Sequence, residues 1–361
     1  MKTYSLFVAC IFLLGGIAQN HAKKTDGIYD MAEYDDTRIK KNSYGIAYIL
    51  LICSFIFMSG FRYYVGADYG SYYKSTYTWQ EVIDSFFKLD EPIIKLITFA
   101  IRSVVNDGLA VIFVLALFTI TLCFYGFSRY DEGHIMDTLL LYVFLGAFGF
   151  SFNGVRQALA VAFIFALFKK EKRLSNIIVI LIAFLIHKSA LFVLPIMVIA
   201  QKRISKSQIG IITISSMLIP RFFGVFYSIM GMSTMDSDAL SYATHAINPL
   251  RIVVSFAPLF LLVLVKNRSD FLEKYSFLIN MTFINALLTL TTANSALLNR
   301  MVQYTSIYIA LYIPKFKQCM KTERDEMLFM GVILVFYYVY WRYELGNDFI
   351  FQFCFNHWGE F

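Results

Sequence analysis

Long apolar runs recur along the chain and leave few ways for it to fold. Hydrophobic residues make up 58% of the 361 positions and charged residues only 16%, against about 45–50% apolar residues in soluble domains. A bilayer core about 30 Å thick is crossed by about 20 apolar residues in a helix. Because backbone polar groups in lipid must bond to one another, runs of this length form helices. The sequence therefore predicts an all-α, polytopic integral membrane protein.

The runs predict about twelve transmembrane helices within a single membrane domain over residues 1–361. Residues 92–105 carry Lys95 and Arg102 on an otherwise apolar stretch, which predicts an amphipathic interfacial helix rather than a span. The predicted spans are 3–19, 44–61, 108–127, 137–150, 155–168, 174–187, 189–201, 208–230, 249–265, 275–293, 300–314 and 327–341.

Basic residues indicate the orientation. Six loops hold 20 of the 32 Lys and Arg, and such loops stay cytoplasmic. The regions expected outside are then an outer loop 62–107 with the amphipathic helix, a second outer loop 231–248 and the tail 342–361. Basic clusters also flank the two short segments around His187 and Lys188, which predicts a helical hairpin with these residues at its tip. The six inner loops are 20–43, 128–136, 169–173, 202–206, 266–274 and 315–326.

The first apolar run allows two interpretations. Residues 3–19 form the first predicted span, but the small residues of Ala18-Gln19-Asn20-His21-Ala22 also fit a cleaved signal peptide. Both interpretations stay open at the level of sequence.

Several common chemistries have no motif in this chain. The five cysteines are scattered, which favours neither a disulfide framework nor a metal site. There is no Gly-x-x-x-x-Gly-Lys phosphate loop and no Gly-x-Ser-x-Gly. Nucleotide-driven pumping and serine hydrolysis are therefore disfavoured, and we expect no metal, no cofactor and no nucleic-acid partner.

The basic residues expected outside are rich in arginine. The planar fork of Arg suits phosphate held by paired hydrogen bonds, whereas Lys suits a topogenic point charge. Arg156 lies between Gly154 and Gln157 at the start of an apolar helix, which favours a functional role. Snorkelling at the interface is the favoured interpretation for Arg102 and Arg342. The remaining outer arginines are Arg62, Arg221, Arg251 and Arg300.

Five short motifs, in order from about Tyr44 to Arg342, resemble the EpsG family of Wzy-like polymerases of bacterial exopolysaccharides and O-antigens. The usual Gly-Thr-Asp of that family is Gly-Ala-Asp here, which keeps the carboxylate of Asp68 but removes a hydroxyl. The motifs are Tyr64-Val65-Gly66-Ala67-Asp68-Tyr69 with Tyr72-Tyr73, Glu91-Pro92, Phe152-Asn153-Gly154-Val155-Arg156-Gln157-Ala158-Leu159-Ala160, His187-Lys188-Ser189-Ala190-Leu191, and Asn299-Arg300 with Tyr304.

The resemblance implies a metal-independent glycosyltransferase of the bacterial inner membrane, with its active site facing outside. Such enzymes transfer a growing glycan from undecaprenyl diphosphate onto a lipid-linked repeat unit in exopolysaccharide, capsule or O-antigen biosynthesis. The energy lies in the anomeric bond, so no nucleotide is needed. The implied partners are undecaprenyl-diphosphate-linked oligosaccharide, the lipid bilayer, a flippase and a chain-length regulator.

This chemistry requires cations for the departing diphosphate and a base for the attacking hydroxyl. Arg156 is the first choice of cation, and His187 and Asp68 are alternative bases. A lone His at a helix tip is more often an interfacial or core residue, and Asp68 also fits a turn residue with a capping carboxylate. The residues expected to bind substrate are Arg62, Gln157, Arg251, Arg300, Tyr304, Tyr69 and Glu91.

The tyrosines after the second predicted span allow two interpretations. The tyrosines at 63, 64, 69, 72 and 73 stack on sugars or form an interfacial aromatic belt.

Two other function classes stay open. A flippase of lipid-linked oligosaccharide would also need an arginine-lined cavity, but only Arg221 lies well inside an apolar run. A membrane acyltransferase that modifies polysaccharide would also use a histidine, but no His-Asp pair is apparent.

Overall fold

The computed structural model of the chain describes residues 2–29, 44–66, 68–169, 173–201, 210, 213–214, 248–266, 268–345 and 351–357. Within these ranges the chain is helical without strands, and an isolated antiparallel bridge joins Arg62 to Phe353. The chain divides into a first unit, Met1–Leu191 with Met327–Phe361, and a second unit, Phe192–Glu326. The predicted span 208–230 and the predicted loop 231–248 lie almost entirely outside the described residues.

The helices follow the apolar runs of the sequence closely. Short 3₁₀ segments occupy Lys188–Phe192, Leu261–Leu264, Arg300–Val302, Ile313–Cys319 and Cys354–His357. The α-helices are α1 (Lys2–Tyr29), α2 (Gly45–Gly60), α3 (Tyr69–Lys74), α4 (Trp79–Phe87), α5 (Pro92–Val104), α6 (Gly108–Tyr130), α7 (Ile135–Phe144), α8 (Ala147–Asn153), α9 (Val155–Leu167), α10 (Arg173–Ile186), α11 (Val193–Ala200), α12 (Pro249–Phe260), α13 (Arg268–Lys274), α14 (Ser276–Thr291), α15 (Ala296–Asn299), α16 (Gln303–Tyr312) and α17 (Glu323–Leu345).

Several helices have the length or the composition of membrane spans. Among the described residues, Thr3–Ala22 and Gly108–Tyr130 are long and apolar enough to cross a bilayer. The bent pair α7 and α8 adds a third span if both are counted as one, and α2, α9, α10, α12 and α14 are shorter apolar helices. The expected all-helical, membrane-type architecture is thus present, whereas the number of twelve spans stays a prediction.

Helix α1 shows why these helices need a lipid environment. Phe7 and Ile11 are buried on one face, while Leu6 and Leu13 on another face are 73% and 67% exposed. A helix that is hydrophobic all round is the pattern of a membrane segment, since water would not support the exposed face. Its buried side packs on α2 and α7.

Aromatic rings fill the interior of the first unit. The ring of Phe55 on α2 lies 5.1 Å from that of Phe124 on α6 and 4.8 Å from that of Phe148 on α8. Both are edge-on contacts, the arrangement that the ring quadrupoles favour. Helix α6 also packs along α9, where Phe127 meets Phe165 at 5.1 Å. This packing holds α9, whose opposite, N-terminal end carries Arg156.

The predicted span 137–150 is wrong as a single straight helix. The chain bends by 49° between α7 and α8. Gly146 stands at the break with a φ of 80°, a left-handed conformation that glycine adopts without a Cβ penalty. The bend starts a new helix whose last residues, Phe152 and Asn153, lead directly into α9.

The interfacial segment predicted for residues 92–105 is a helix, α5, and a second short helix packs against it. Helix α4 begins at a capping box in which Thr78 and Glu81 satisfy each other's backbone N–H groups. Its Trp79 ring lies 5.5 Å from that of Phe99 on α5. The sequence pattern did not predict a helix over residues 79–87.

The structure gives Arg102 protein partners, and its snorkelling at the interface stays a prediction. Its guanidinium donates to the backbone carbonyl of Ser75 at 3.2 Å and to that of Tyr73. The last carbonyls of a helix have no intrahelical partner, and an arginine is a suitable donor for them. Arg102 therefore holds the C-terminal end of α3 against α5.

The second unit is organised around α14, which packs on α11, α12 and α16. Polar side chains tie it to its neighbours inside the apolar interior. Nδ2 of Asn285 donates to Oγ1 of Thr305 at 2.9 Å and to the carbonyl of Val302 at 3.2 Å. Nδ2 of Asn280 donates to the carbonyl of Ala200 at 2.9 Å. Such hydrogen bonds fix helix register where apolar packing alone is unspecific.

The segment between α2 and α3 is held on several sides. The backbone N–H of Tyr63 donates to the carbonyl of Gln352 at 2.9 Å, and that of Cys354 donates to the carbonyl of Phe61 at 3.0 Å. Gly66 has a φ of 104°, and a Cβ added to it would overlap the carbonyl of Phe152. Only glycine fits this position, so the Gly66 motif and the Asn153 motif are neighbours in the fold.

We expect Gly66→Ala to lower the free energy of unfolding by at least about 1 kcal/mol, because Ala is strained at positive φ and overlaps a backbone carbonyl. Gly149→Ala is the matched control, since Gly149 lies in α8 with nothing within 4 Å of its added Cβ. The control should be neutral or slightly stabilising. Thermal unfolding of the two purified variants tests the difference, and equal stabilities would contradict it.

Candidate functional site

Glu91 is the central residue of the candidate site. It stands at the N-cap of α5, before Pro92, and is only 7% exposed. Its φ is 53° and that of Leu89 is 51°, both left-handed conformations that non-glycine residues rarely adopt. Such strain costs about 1–3 kcal/mol at each residue and is concentrated at functional sites. The loop thus adopts a costly backbone conformation around this carboxylate.

The two oxygens of Glu91 bind two different functional side chains. Oε2 accepts from Nη1 of Arg156 at 2.5 Å, and Oε1 lies 2.5 Å from Nδ1 of His187. The three residues are far apart in the sequence and come from α5, α9 and the end of α10. The structure therefore brings together three of the residues that the sequence analysis selected.

Glu91 is ionised at neutral pH. Burial raises the pKa of Glu91, but the hydrogen bond and charge of His187, together with the charge of Arg156, outweigh burial and lower the pKa overall. A carboxylate is acceptor-only, so Nδ1 of His187 is the donor in their hydrogen bond. In the neutral imidazole the other ring nitrogen, Nε2, carries the lone pair, and Nε2 has no hydrogen-bond partner among the described residues.

Arg156 is anchored on one side and open on the other. Its Nε donates to the hydroxyl of Tyr72 at 3.3 Å, and its guanidinium lies 5.8 Å above the Tyr72 ring. The side chain is 44% exposed. Arg has five N–H donors, and within the described structure three of them remain unoccupied.

Two lysines, Lys95 and Lys188, form ion pairs with Asp90, the residue before Glu91. Nζ of Lys95 lies 2.6 Å from Oδ2 of Asp90, and Nζ of Lys188 lies 2.7 Å from Oδ1. Hydrogen bonds from Lys188 and Lys95 lower the pKa of Asp90 to about 2. Because Asp90 is 46% exposed, solvent screens these pairs and they add little stability. Their effect is to fix Lys188 beside His187.

Asp68, the alternative base, lies apart from the Glu91 hydrogen bonds. It occupies the N-cap position of α3, where its carbonyl accepts from the N–H groups of Ser71 and Tyr72, but its side chain makes no capping hydrogen bond. The interpretation of Asp68 as a capping carboxylate is therefore wrong. Burial and the nearby Asp68 charge raise the pKa of Tyr72, so that hydroxyl stays protonated.

Three other residues expected to bind substrate are enclosed by protein. Arg62 is 1% exposed, with Nε donating to the carbonyl of Val65 at 3.2 Å. Burial lowers the pKa of Arg62 to about 10, so it stays charged. Tyr69 and Gln157 are 0% and 2% exposed. None of the three is open to a substrate here, because each side chain packs inside the first unit.

The remaining expected residues belong to the second unit. Arg251 lies in the first turn of α12, where its backbone N–H donates to Oδ1 of Asn248 at 3.3 Å. Arg300 opens the 3₁₀ segment after α15, and Tyr304 is buried on α16. Arg221 lies outside the described residues.

Asp90 and Lys95 were not predicted as members of the site, and no role was predicted for Lys188. Ion pairs between distant segments leave no periodic signal in a sequence. A usable signal was nevertheless present, because two adjacent acidic residues before a proline at a helix start are unusual in an apolar chain. Lys188, next to His187, lay in a motif already quoted.

Comparison with known proteins identifies the chain at the level of a family. The family model described as the EpsG family matches residues 45–355. No curated protein and no solved structure matches the chain. The resemblance inferred from the five motifs is thereby confirmed, and the match contains the whole Glu91 site.

Stability should decrease as pH falls from about 5 toward 2. The pKa values of Glu91 and Asp90 are lowered in the folded state. Their ion pairs therefore stabilise the fold at pH values above the unfolded-state pKa values of about 4. That contribution is lost as pH falls through the folded values. For Glu91, with charged hydrogen-bond partners, it should be roughly 1–3 kcal/mol. Melting temperatures of the purified protein across this range measure the decrease.

The control for that experiment is the double variant Asp90→Asn, Glu91→Gln. It should be less stable than the parent protein at pH 7 and should show a flatter melting profile between pH 5 and 2. Parallel profiles for parent and variant would mean that these two carboxylates do not contribute to the acid sensitivity of the fold.

Proposed function

The chain belongs to the EpsG family, and on that premise we propose that it is a polysaccharide polymerase. The proposed reaction transfers a growing glycan from undecaprenyl diphosphate onto the lipid-linked repeat unit, in exopolysaccharide, capsule or O-antigen biosynthesis. The observation that carries this proposal is the placement of Arg156 and His187 on the two oxygens of Glu91. One side chain suits a departing diphosphate, and the other suits an attacking hydroxyl.

His187 is the proposed general base. A carboxylate that accepts from Nδ1–H of a histidine selects the tautomer in which Nε2 is the acceptor. It also stabilises the imidazolium that forms when Nε2 takes a proton, as the aspartate does in serine-protease triads. Glu91 is buried and ionised, so it satisfies both requirements. Asp68 has no comparable partner in the part of the chain that the structure describes, and it is the weaker candidate for the base.

Arg156 is the proposed cation for the leaving group. Its free N–H donors can form the paired hydrogen bonds that a phosphate accepts, and Tyr72 and Glu91 hold it so that little reorganisation is needed. Lys188 offers a second positive charge beside His187. Fixed cations of this kind neutralise a diphosphate without a metal ion, which supports a metal-independent mechanism.

The proposed reaction is a substitution at the anomeric carbon of the donor glycan. The acceptor hydroxyl forms a bond to the anomeric carbon and gives its proton to Nε2 of His187. The bond between that carbon and the diphosphate oxygen breaks, and the electron pair leaves with the diphosphate beside Arg156. Arg251, Arg300 and Tyr304 of the second unit are proposed as further contacts to the lipid-linked substrates, supported by the family motif around Arg300.

The proposed location is the outer face of the bacterial cytoplasmic membrane. The support is the distribution of Lys and Arg, which places the six basic loops inside and the region 62–107 outside. A flippase that delivers lipid-linked oligosaccharide and a chain-length regulator are the proposed protein partners.

A reconstitution assay tests this function. Purified protein in vesicles is supplied with lipid-linked repeat units, and the products are separated by size. A polymerase gives a ladder of chain lengths, a flippase moves the label across the membrane without a ladder, and an acyltransferase changes the mass of single units. Absence of a ladder from folded, substrate-bound protein would overturn the proposal.

Arg156→Lys should lower the polymerisation rate by about 10²–10³, because Lys keeps the charge but cannot form paired hydrogen bonds to diphosphate. The amount of protein in the membrane should not change, since Arg156 is partly exposed. The matched control is Arg342→Lys, in which an arginine expected at the interface is changed in the same way. Near-normal ladders from Arg156→Lys would remove Arg156 from the proposed mechanism.

His187→Gln should lower the rate by about 10²–10⁴ while leaving folding and substrate binding intact, because Gln can hydrogen-bond but cannot accept a proton near neutral pH. Asp68→Asn should cause a smaller loss. Single-turnover rates and ladder assays on both variants make the comparison. If Asp68→Asn abolishes turnover and His187→Gln does not, the base is Asp68.

A further inference from the structure

Tyr64 combines two features that rarely occur together. Its φ is 50°, and its side chain is 54% exposed. A bulky residue in the left-handed region is an outlier, since its Cβ crowds the backbone. Backbone strain of this kind is concentrated at functional sites, where the surrounding structure maintains it.

The segment around Tyr64 is fixed on both sides. The guanidinium of Arg62 donates to the carbonyls of Ser59 and Val65. Gly66 packs directly against the carbonyl of Phe152, and residues 352–354 bond to residues 61 and 63. A buried charge is costly to place in protein, so this segment is held at considerable cost. The Tyr64 ring is presented rigidly, as a binding surface requires.

The Tyr64 ring packs against two other aromatic rings and is exposed on its other side. Its centroid lies 4.9 Å from that of Tyr63 and 5.0 Å from that of Tyr69. Tyr69 is fully buried and packs beneath the guanidinium of Arg62. The neighbouring position on α3 is Gly70, whose added Cβ would be 3.9 Å from the Tyr64 ring. No side chain of residue 70 covers the ring.

A carboxylate lies next to this surface. Asp68 is partly exposed, and its side chain makes no hydrogen bond in the described structure. It stands at the start of α3, the helix whose Tyr72 binds Arg156. The six residues of this helix therefore connect the Tyr64 surface to the proposed reaction site.

We propose that Tyr64 and Asp68 form a glycan-binding subsite. The ligand class is a pyranose ring of a lipid-linked oligosaccharide, with its apolar C–H face on the Tyr64 ring and a hydroxyl donating to the Asp68 carboxylate. The inference rests on the proposed polymerase function and adds a binding role that the Glu91 site does not supply. It also separates the tyrosines, because Tyr69 supports the surface and Tyr64 alone presents it.

Kinetics of Tyr64→Asn test the subsite. Asn tolerates positive φ, so the melting temperature should stay equal or rise, which separates binding from folding. Loss of aromatic stacking, which is worth 1–3 kcal/mol for nucleic-acid bases, should raise KM about 5- to 150-fold with a smaller change in kcat. Tyr343→Asn is the matched control, because Tyr343 is also exposed at 64%. Tyr64→Trp keeps a stacking face and should restore a low KM.

Two arms of the assay separate donor from acceptor. In one arm the preformed lipid-linked polymer is saturating and the concentration of the repeat unit is varied. In the other arm the repeat unit is saturating and the concentration of the polymer is varied. An increased KM in either arm supports the subsite and shows which of the two lipid-linked substrates it binds. An unchanged KM in both arms overturns it. If the parent protein gives no ladder at all, the polymerase function fails rather than the subsite alone.

Fluorescence gives a readout that does not depend on turnover. The emission of Tyr64→Trp in lipid nanodiscs, corrected for the parent protein, is followed with oligosaccharides released from the purified polysaccharide product. A sugar-dependent blue shift supports the subsite. Quenching by brominated phospholipid without a response to sugar would assign Tyr64 to the interfacial aromatic belt and overturn the proposal.

Discussion

The Glu91 carboxylate is the interaction on which the candidate site depends. A buried carboxylate with one charged partner is costly, but two partners and a backbone N–H from Lys188 satisfy it. The same carboxylate also joins three separate parts of the first unit, because α5, α9 and the end of α10 meet at it. Its removal would leave Arg156 and His187 without the hydrogen-bond partner that they share. The left-handed backbone at Leu89 and Glu91 is the structural cost of this arrangement.

The helices of this protein were largely predictable from sequence, and the reason is physical. Long apolar runs must be helical in lipid, so the predicted spans 44–61 and 108–127 agree closely with α2 and α6. The bend at Gly146 was not predictable, because glycine inside an apolar run is compatible with a straight helix. Helix α4 was missed because its nine residues are short and mixed in character.

The members of the site were predictable, but their connections were not. Glu91, Arg156 and His187 each belong to a recognisable motif, yet sequence offers no measure of the distance between motifs. Sequence also could not predict whether the Arg62 side chain is accessible to a substrate, since an arginine at a helix end looks the same in sequence whether it lines a cavity or is enclosed. The structure distinguishes these cases by burial and by the carbonyls around the guanidinium.

The length of α9 has a consequence for how a lipid-linked substrate reaches this protein. Its 13 residues extend about 20 Å, whereas the hydrocarbon core is about 30 Å thick. A helix of this length cannot place both ends at the two surfaces of an undeformed bilayer. With its far end at one surface, Arg156 lies below the level of the opposite headgroups, unless the bilayer thins around the protein. In either geometry the diphosphate headgroup of the proposed substrate would reach Arg156 by moving inward along the membrane normal, and its prenyl chain would stay in the lipid.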